Sequence, residues 1–161
     1  MSELKQKILK LLQEDARYTY SQMAAALGES EKDVENAVKE LEKDGVIIKY
    51  AALVSGSVAG GVQAIIEVKV APQKLKGFDS YAEDLYNFSE VKDLMLVSGG
   101  FDLFITVESP DLAGVAKFIS EKLSVIDGIV GVATHFILKK YKVDGAVVSV
   151  SEEAKRQIIQ A

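Results

Sequence analysis

Leu4, Ile8, Leu11 and Leu12 recur at the i, i+4, i+7, i+8 spacing that lines one face of an α-helix. They predict a helix over residues 3–14 whose opposite face carries Lys5, Lys7, Lys10 and Glu14. Thr19 with Gln22 three residues on has the spacing of a capping box, so a second short helix should run to Leu27 and stop at Gly28. Ser30 with Asp33 repeats the device, and Val34, Val38 and Leu41 mark a third helix that ends before Gly45. From Val46 to Tyr50, and again at Leu53 and Val54, β-branched and aromatic residues take over, which predicts a strand or a two-stranded wing. Three short helices followed by a wing make a winged helix-turn-helix.

The small residues at 55–61, SerGlySer and then GlyGly among them, have the composition of a connection between modules. Beyond them the periodicity alternates. Strands are expected at Val62 to Val70, Val91 to Val97, Phe101 to Val107 and Ile129 to Lys140. Helix faces are expected at Phe78, Tyr81, Ala82 and Leu85, and at Leu112, Val115, Ala116 and Ile119. The order βαββαβ is that of a ferredoxin-like sandwich of the α+β class, with both helices on one face of an antiparallel sheet. The expected division is residues 1–54 for the winged helix-turn-helix, 55–61 for the linker, 62–142 for the sandwich and 143–161 for a C-terminal extension. In that extension a short strand precedes a helix with Ala154, Ile158 and Ile159 on one side.

One face of such a sheet is left without helices. Leu94 to Val97 and Leu103 to Val107 look apolar on both faces, and monomers seldom leave that much apolar surface wet. A homodimer packed sheet to sheet is therefore expected, with a swapped strand or helix as the alternative.

Composition narrows the chemistry. The chain has 161 residues, 19 Lys plus Arg against 24 Asp plus Glu, a single His and no Cys. The absence of Cys excludes disulfides, thiolate zinc sites and cysteine nucleophiles. No stretch has the continuous apolar run of a signal peptide or a membrane span, so a cytoplasmic protein without a membrane partner is expected. Residues 1–61 hold 8 Lys plus Arg against 10 Asp plus Glu and the remainder 11 against 14, so neither half is basic. The lone His135 has no Cys or second His to share a metal, and no nucleophile–base pair, phosphate-cradling GxGxxG or HExxH motif occurs. No catalytic residue, metal site or cofactor is expected.

Five segments in order carry a family resemblance: LysIleLeuLysLeuLeuGlnGluAspAlaArg (7–17), LeuGluLysAspGlyValIle (41–47), SerGlyGlyPheAsp (98–102), ProAspLeu (110–112) and GlyIleValGlyValAlaThrHisPheIleLeuLys (128–139). In these the chain resembles the Lrp/AsnC, or feast/famine, transcriptional regulators over about residues 2–142. The resemblance implies a RAM-type effector domain that senses a small molecule, typically an amino acid, and assembles dimers into larger rings, often octamers. It places the effector between modules, at Gly99, Gly100 and Asp102 of the glycine-aspartate loop and at Thr134 of the last strand. The family's other Thr, two residues earlier, is Val132 here.

The chemistry of these residues suits such a ligand. An α-amino acid needs amide donors for its carboxylate and an acceptor for its ammonium. A GlyGly loop lets backbone N–H groups approach closely, and Asp102 supplies the negative charge. The same residues also serve as a hairpin turn, with Asp102 capping a loop amide.

The reading helix of the helix-turn-helix spans 31–44 and carries Asn36, Ala37 and Glu40 where the family usually has arginines. Ser30, Lys32, Asn36 and Lys39 on or before it, and Lys49 on the wing, are the candidate contacts to double-stranded DNA. Asn suits adenine and Lys suits phosphate. The competing use of Lys32, Lys39 and Lys43 is i, i+4 pairing with Glu35, Glu40 or neighbours on a solvated face. Arg17 is expected to tie the end of the first helix to the rest of the motif.

Weak binding per monomer is expected from so acidic a helix, with avidity in a ring as compensation. The alternative function is a ligand-sensing or assembly protein whose helix-turn-helix no longer binds DNA. An enzyme is a third possibility, because sirohaem decarboxylases share this architecture; one His and 2 Arg are thin provision for it.

Overall fold

The computed structural model describes residues 1–54, 60–71 and 77–148. The chain forms two compact units, residues 1–53 and 54–161.

In the N-terminal unit α1 is Glu3–Glu14, α2 Tyr20–Leu27 and α3 Glu31–Lys43. The expected caps are in place. Thr19 Oγ1 accepts from the Gln22 amide while Gln22 Oε1 accepts from the Thr19 amide. Gly28 closes α2 with φ 70, a left-handed conformation that costs a Cβ-bearing residue strain. Ile8, Met23, Val34, Val38 and Leu41 form the buried centre, one stripe from each helix.

The wing strand does not form. Chain 46–50 carries no ladder; instead the Val46 and Ile47 amides both return to the Leu41 carbonyl, and Ile47 alone of the segment packs on the core. Ile48 is 89% exposed. A lone extended segment has no neighbour to pair with inside this unit, so β-propensity is left without effect.

The C-terminal unit is the βαββαβ sandwich. Its elements are β1 Val62–Val70, α4 Phe78–Tyr86, β2 Val91–Leu96, β3 Leu103–Ser109, α5 Leu112–Lys117 and β4 Ile129–Phe136. A π-helical stretch, Phe118–Leu123, prolongs α5. The strands lie in the order β2-β3-β1-β4, all antiparallel. Ala64, Ile66, Val68 and Val70 of β1 and Leu103, Ile105 and Val107 of β3 pack against Tyr81, Leu85, Val115, Phe118 and Leu123.

Strict alternation on β3 corrects one expectation. Leu103, Ile105, Val107 and Ser109 point to the helices and Phe104, Thr106 and Glu108 to the open face. That open face is mixed: Ile65, Met95, Phe104 and Ala133 are interspersed with Glu67, Lys69, Asp93 and Glu108. The apolar look of the segment came from counting both faces together.

β4 stops at Phe136, four residues short of the expected Lys140; Phe136 faces Ala64 of β1, and the last bond runs from the Ile137 amide to the Gln63 carbonyl. Past that end Leu138 is 96% exposed. The start of the expected extension is a hairpin rather than one strand: β5 Lys142–Val143 and β6 Ala146–Val147 flank Asp144 and Gly145, both with positive φ. Asp-Gly is the favoured sequence for such a two-residue turn. The helix expected around Ala154, Ile158 and Ile159 lies outside the described residues. Among the described residues no helix is long and apolar enough to cross a membrane.

Candidate functional site: the reading helix and the sheet-end loop

On α3 the residues Lys32, Asn36, Lys39 and Lys43 fall at i, i+4, i+7 and i+11, one exposed line opposite the buried Val34, Ala37, Val38 and Leu41. The helix's carboxylates are largely engaged within the unit. Asp33 accepts from Ser30 Oγ at 2.5 Å, Glu35 from Lys39 Nζ at 2.7 Å, and Glu42 from the Tyr50 hydroxyl at 2.9 Å. Glu40 meets Lys5 Nζ of α1 at 2.9 Å, and Asp44 lies 3.8 Å from the same ammonium. The hydrogen bond from Lys5 holds the Glu40 carboxyl below its usual range, and Glu40 in turn raises Lys5. Glu35 likewise raises Lys39.

Of the sequence candidates, Ser30 is the N-cap of α3, its Oγ accepting from the Asp33 amide at 3.1 Å. Lys32 and Asn36 stand exposed, and neither has an ion pair or hydrogen bond among the described residues. Lys39 is paired as the competing reading had it, in the favourable Glu-before-Lys order. Lys49 is exposed on the irregular segment after α3, not on a strand. Arg17 grips Asp15, two residues back, through Nε and Nη2 and holds that carboxyl at about 2. It fastens its own turn, with no bond to another helix among the described residues. Lys5, which offsets the charge of Glu40, and Tyr50, which holds Glu42 by a hydrogen bond, went unread in the sequence because both act across elements.

In the C-terminal unit the β2–β3 connection spans residues 97–102, closed by the Val97 amide on the Asp102 carbonyl at 2.9 Å. Gly99 has φ 143, a conformation that favours glycine, and no neighbour lies within 4 Å of the Cβ position of either Gly99 or Gly100. The loop backbone is thus open to approach. Asp102 does more than cap a loop amide: its Oδ2 accepts from the Val70 amide at 2.9 Å and its Oδ1 from Lys69 Nζ at 3.1 Å. These two bonds, the backbone one first, hold its carboxyl below the usual carboxylate range. The register of β1 against β4 shifts between Lys69 and Val70, an irregularity that sets these groups at the sheet's end.

Thr134 is not brought to them. It lies opposite Ile66 and so shares that residue's helix-facing side, three residues along β4 from the Gly131 that faces Lys69, about 10 Å along the strand. Val132 packs against the core. His135 sits on the open face, its Nε2 3.6 Å from Glu67. Two clefts among the described residues, one of about 270 Å³ between α4 and β2 and one of about 490 Å³ beside α5, are lined by none of Gly99, Gly100, Asp102 and Thr134. In the larger cleft the charged groups are already paired, Lys122 with Glu90 at 2.5 Å among them.

Comparison with known proteins places this geometry. Residues 63–147 match the Lrp/AsnC ligand-binding domain and residues 1–48 a winged helix-turn-helix DNA-binding domain. The chain belongs to the Lrp/AsnC family. It is 40% identical over 162 residues to the HTH-type transcriptional regulator YugG of Bacillus subtilis, covering 99% of this chain and 98% of that one. It is 35% identical to the HTH-type transcriptional regulator LrpA of Pyrococcus horikoshii over 84% of this chain and 94% of that one. Among solved structures, a transcriptional regulator from Neisseria meningitidis in complex with L-Met superposes with a TM-score of 0.71 at 26% identity, over 89% of this chain and 93% of that one. The AsnC protein of E. coli shares the fold, with a TM-score of 0.70 at 23% identity over 89% and 95% of the two chains. As a member of the Lrp/AsnC family the chain is a helix-turn-helix transcriptional regulator with a ligand-binding domain, and not an enzyme.

Proposed function

We propose that this Lrp/AsnC regulator reads double-stranded DNA with Ser30, Lys32, Asn36, Lys39 and Lys49, and senses an α-amino acid at seams between copies of its C-terminal unit. The copies pair through their open sheet faces and assemble further, toward octamers, in the cytoplasm where the DNA is.

The observation that carries the DNA reading is the exposed Lys32–Asn36–Lys39 line on a helix whose Asp33, Glu35, Glu40 and Glu42 are engaged by Ser30, Lys39, Lys5 and Tyr50. Lys5 offsets the charge of Glu40 and so lowers the repulsion that an acidic reading helix presents to phosphate, while the neutral Ser30 and Tyr50 hydroxyls orient Asp33 and Glu42. Asn36 meets a base edge, the lysines meet phosphates, and Ser30 acts chiefly by holding the helix start.

The effector reading rests on the open Gly99–Gly100 backbone and the negative Asp102 beside it. The likeness to the Neisseria regulator, whose structure holds L-Met, suggests the ligand class. Thr134 belongs to a different part of the sheet, so it joins the site only if a second copy supplies one half. Pairing is supported by Ile65, Phe104, Met95 and Ala133 on the sheet face that no helix covers.

Fluorescence polarisation with the gene's own upstream DNA at low salt tests the first part. Wild type should bind. Lys32→Glu and Lys39→Glu should each weaken binding at all sequences and reduce the salt slope by about one. Absence of wild-type binding at low salt would favour a ligand-sensing or assembly protein that has given up DNA.

A further inference from the structure

We propose that Lys69 is the carboxylate anchor of the effector site, so that the Lys69–Asp102 pair takes an α-amino acid as a zwitterion, carboxylate to Lys69 Nζ and ammonium to Asp102. This rests on the amino-acid reading above and adds to it a residue and a ligand orientation.

Four observations converge on Lys69. Val68 and Val70 are buried on the helix side, so the side chain between them rises from the open face at the sheet's end. It stands 42% exposed against 18% for Asp102, with 3.1 Å between the charges, so the pair is reachable from solvent. Gly131 lies directly across on β4, and a Cβ there would come within 3.3 Å of Lys69 Cβ, so glycine keeps the ground beside the lysine stem clear. The Val70 amide fixes one oxygen of Asp102, which leaves the other aimed at Lys69.

A partly exposed ion pair contributes little to stability, so a ligand bearing both charges displaces it at small cost. Each ligand charge then meets its opposite. A Cβ at Gly99 or Gly100 would meet nothing within 4 Å, so the loop that leads into Asp102 leaves room for the rest of the ligand. Sequence reading missed Lys69 because a strand lysine looks like ordinary solvent-facing polarity; its meaning comes from the partner 33 positions away.

The test uses calorimetry on the full chain. The twenty amino acids are titrated, and the tightest binder is compared with its methyl ester, whose carboxyl is neutral, on wild type, Lys69→Met and Lys69→Arg. Wild type should lose about tenfold or more in affinity on esterification, as expected for a charge-assisted bond. Lys69→Met, which keeps the stem, should lose a similar factor for the free amino acid and distinguish acid from ester by less than about twofold. Lys69→Arg should restore the distinction. A purely structural Lys69 would weaken both ligands by the same factor and keep their ratio at the wild-type value, which would overturn this role while leaving the amino-acid reading intact. If no amino acid binds wild type, both fall together. Should Lys69→Met fail to fold, Lys69→Gln carries the same comparison.

Discussion

At the scale of single residues, composition misleads where contact decides. Gly61 belongs to the small-residue stretch expected to offer few contacts, yet it has φ 82, and a Cβ there would stand 2.8 Å from the Ser109 carbonyl oxygen. Gly61→Ala should therefore cost about 1–3 kcal/mol in a urea titration, through both the backbone strain and the clash. Asp102 offers a second check. Its carboxyl is held below the ordinary range in the folded chain, so its contribution to stability is full above the unfolded pKa of about 3.9. That contribution is lost as pH falls through the depressed folded value. Asp102→Asn should lower the melting temperature at pH 7, and the gap to wild type should close in acid; a gap independent of pH would remove the charge from the explanation. That Asp102 mattered was visible in its place after GlyGly. That it clamps Val70 and Lys69 was not, since neither neighbour is local in sequence.

Local rules did well at the scale of elements, where the element is self-sufficient. The three N-terminal helices and their stops follow from caps and spacing that each helix carries within itself. Residues 46–50 are not a strand for the opposite reason: a strand needs a neighbour, and Val46 to Tyr50 have none within their unit. The π-helical stretch after α5 was equally unreadable. There the Ser124 amide reaches the Ile119 carbonyl at 2.8 Å, a five-residue span that brings Phe118 and Leu123 onto one buried side. Ser30 gives the test that belongs here. Ser30→Ala removes the α3 cap and should cost about 1 kcal/mol of stability. If Ser30 acts by holding the helix start, Ser30→Gly, which keeps most of the cap's stability without a hydroxyl, should bind DNA more nearly like wild type than Ser30→Ala does; equal losses in both would mean a direct contact from the hydroxyl.

For the whole molecule, the sandwich was legible because βαββαβ order and strand lengths constrain topology tightly, whereas the character of the uncovered face was not, because a run such as Leu103 to Val107 discloses its two faces only once register is known. Phe104 lies at the middle of that face, opposite Met95 on one side and Glu67 on the other. If copies pair there, Phe104→Glu should convert the dimer to monomer in light scattering without changing the far-ultraviolet circular dichroism. The two margins of the sheet are protected differently. β2 is guarded by an irregular register and by Lys92 and Asp93, but β4 presents Val130 and then runs past its last partner into the bare Leu138. Directly after Leu138 come Lys139, with its ammonium 4.8 Å from the Tyr141 ring, and Lys140. Charge at an unpaired strand end keeps foreign strands from docking. With both lysines changed to serine, concentrated solutions of still-native protein should turn turbid through strand-on-strand growth, a failure of colloidal behaviour and not of folding.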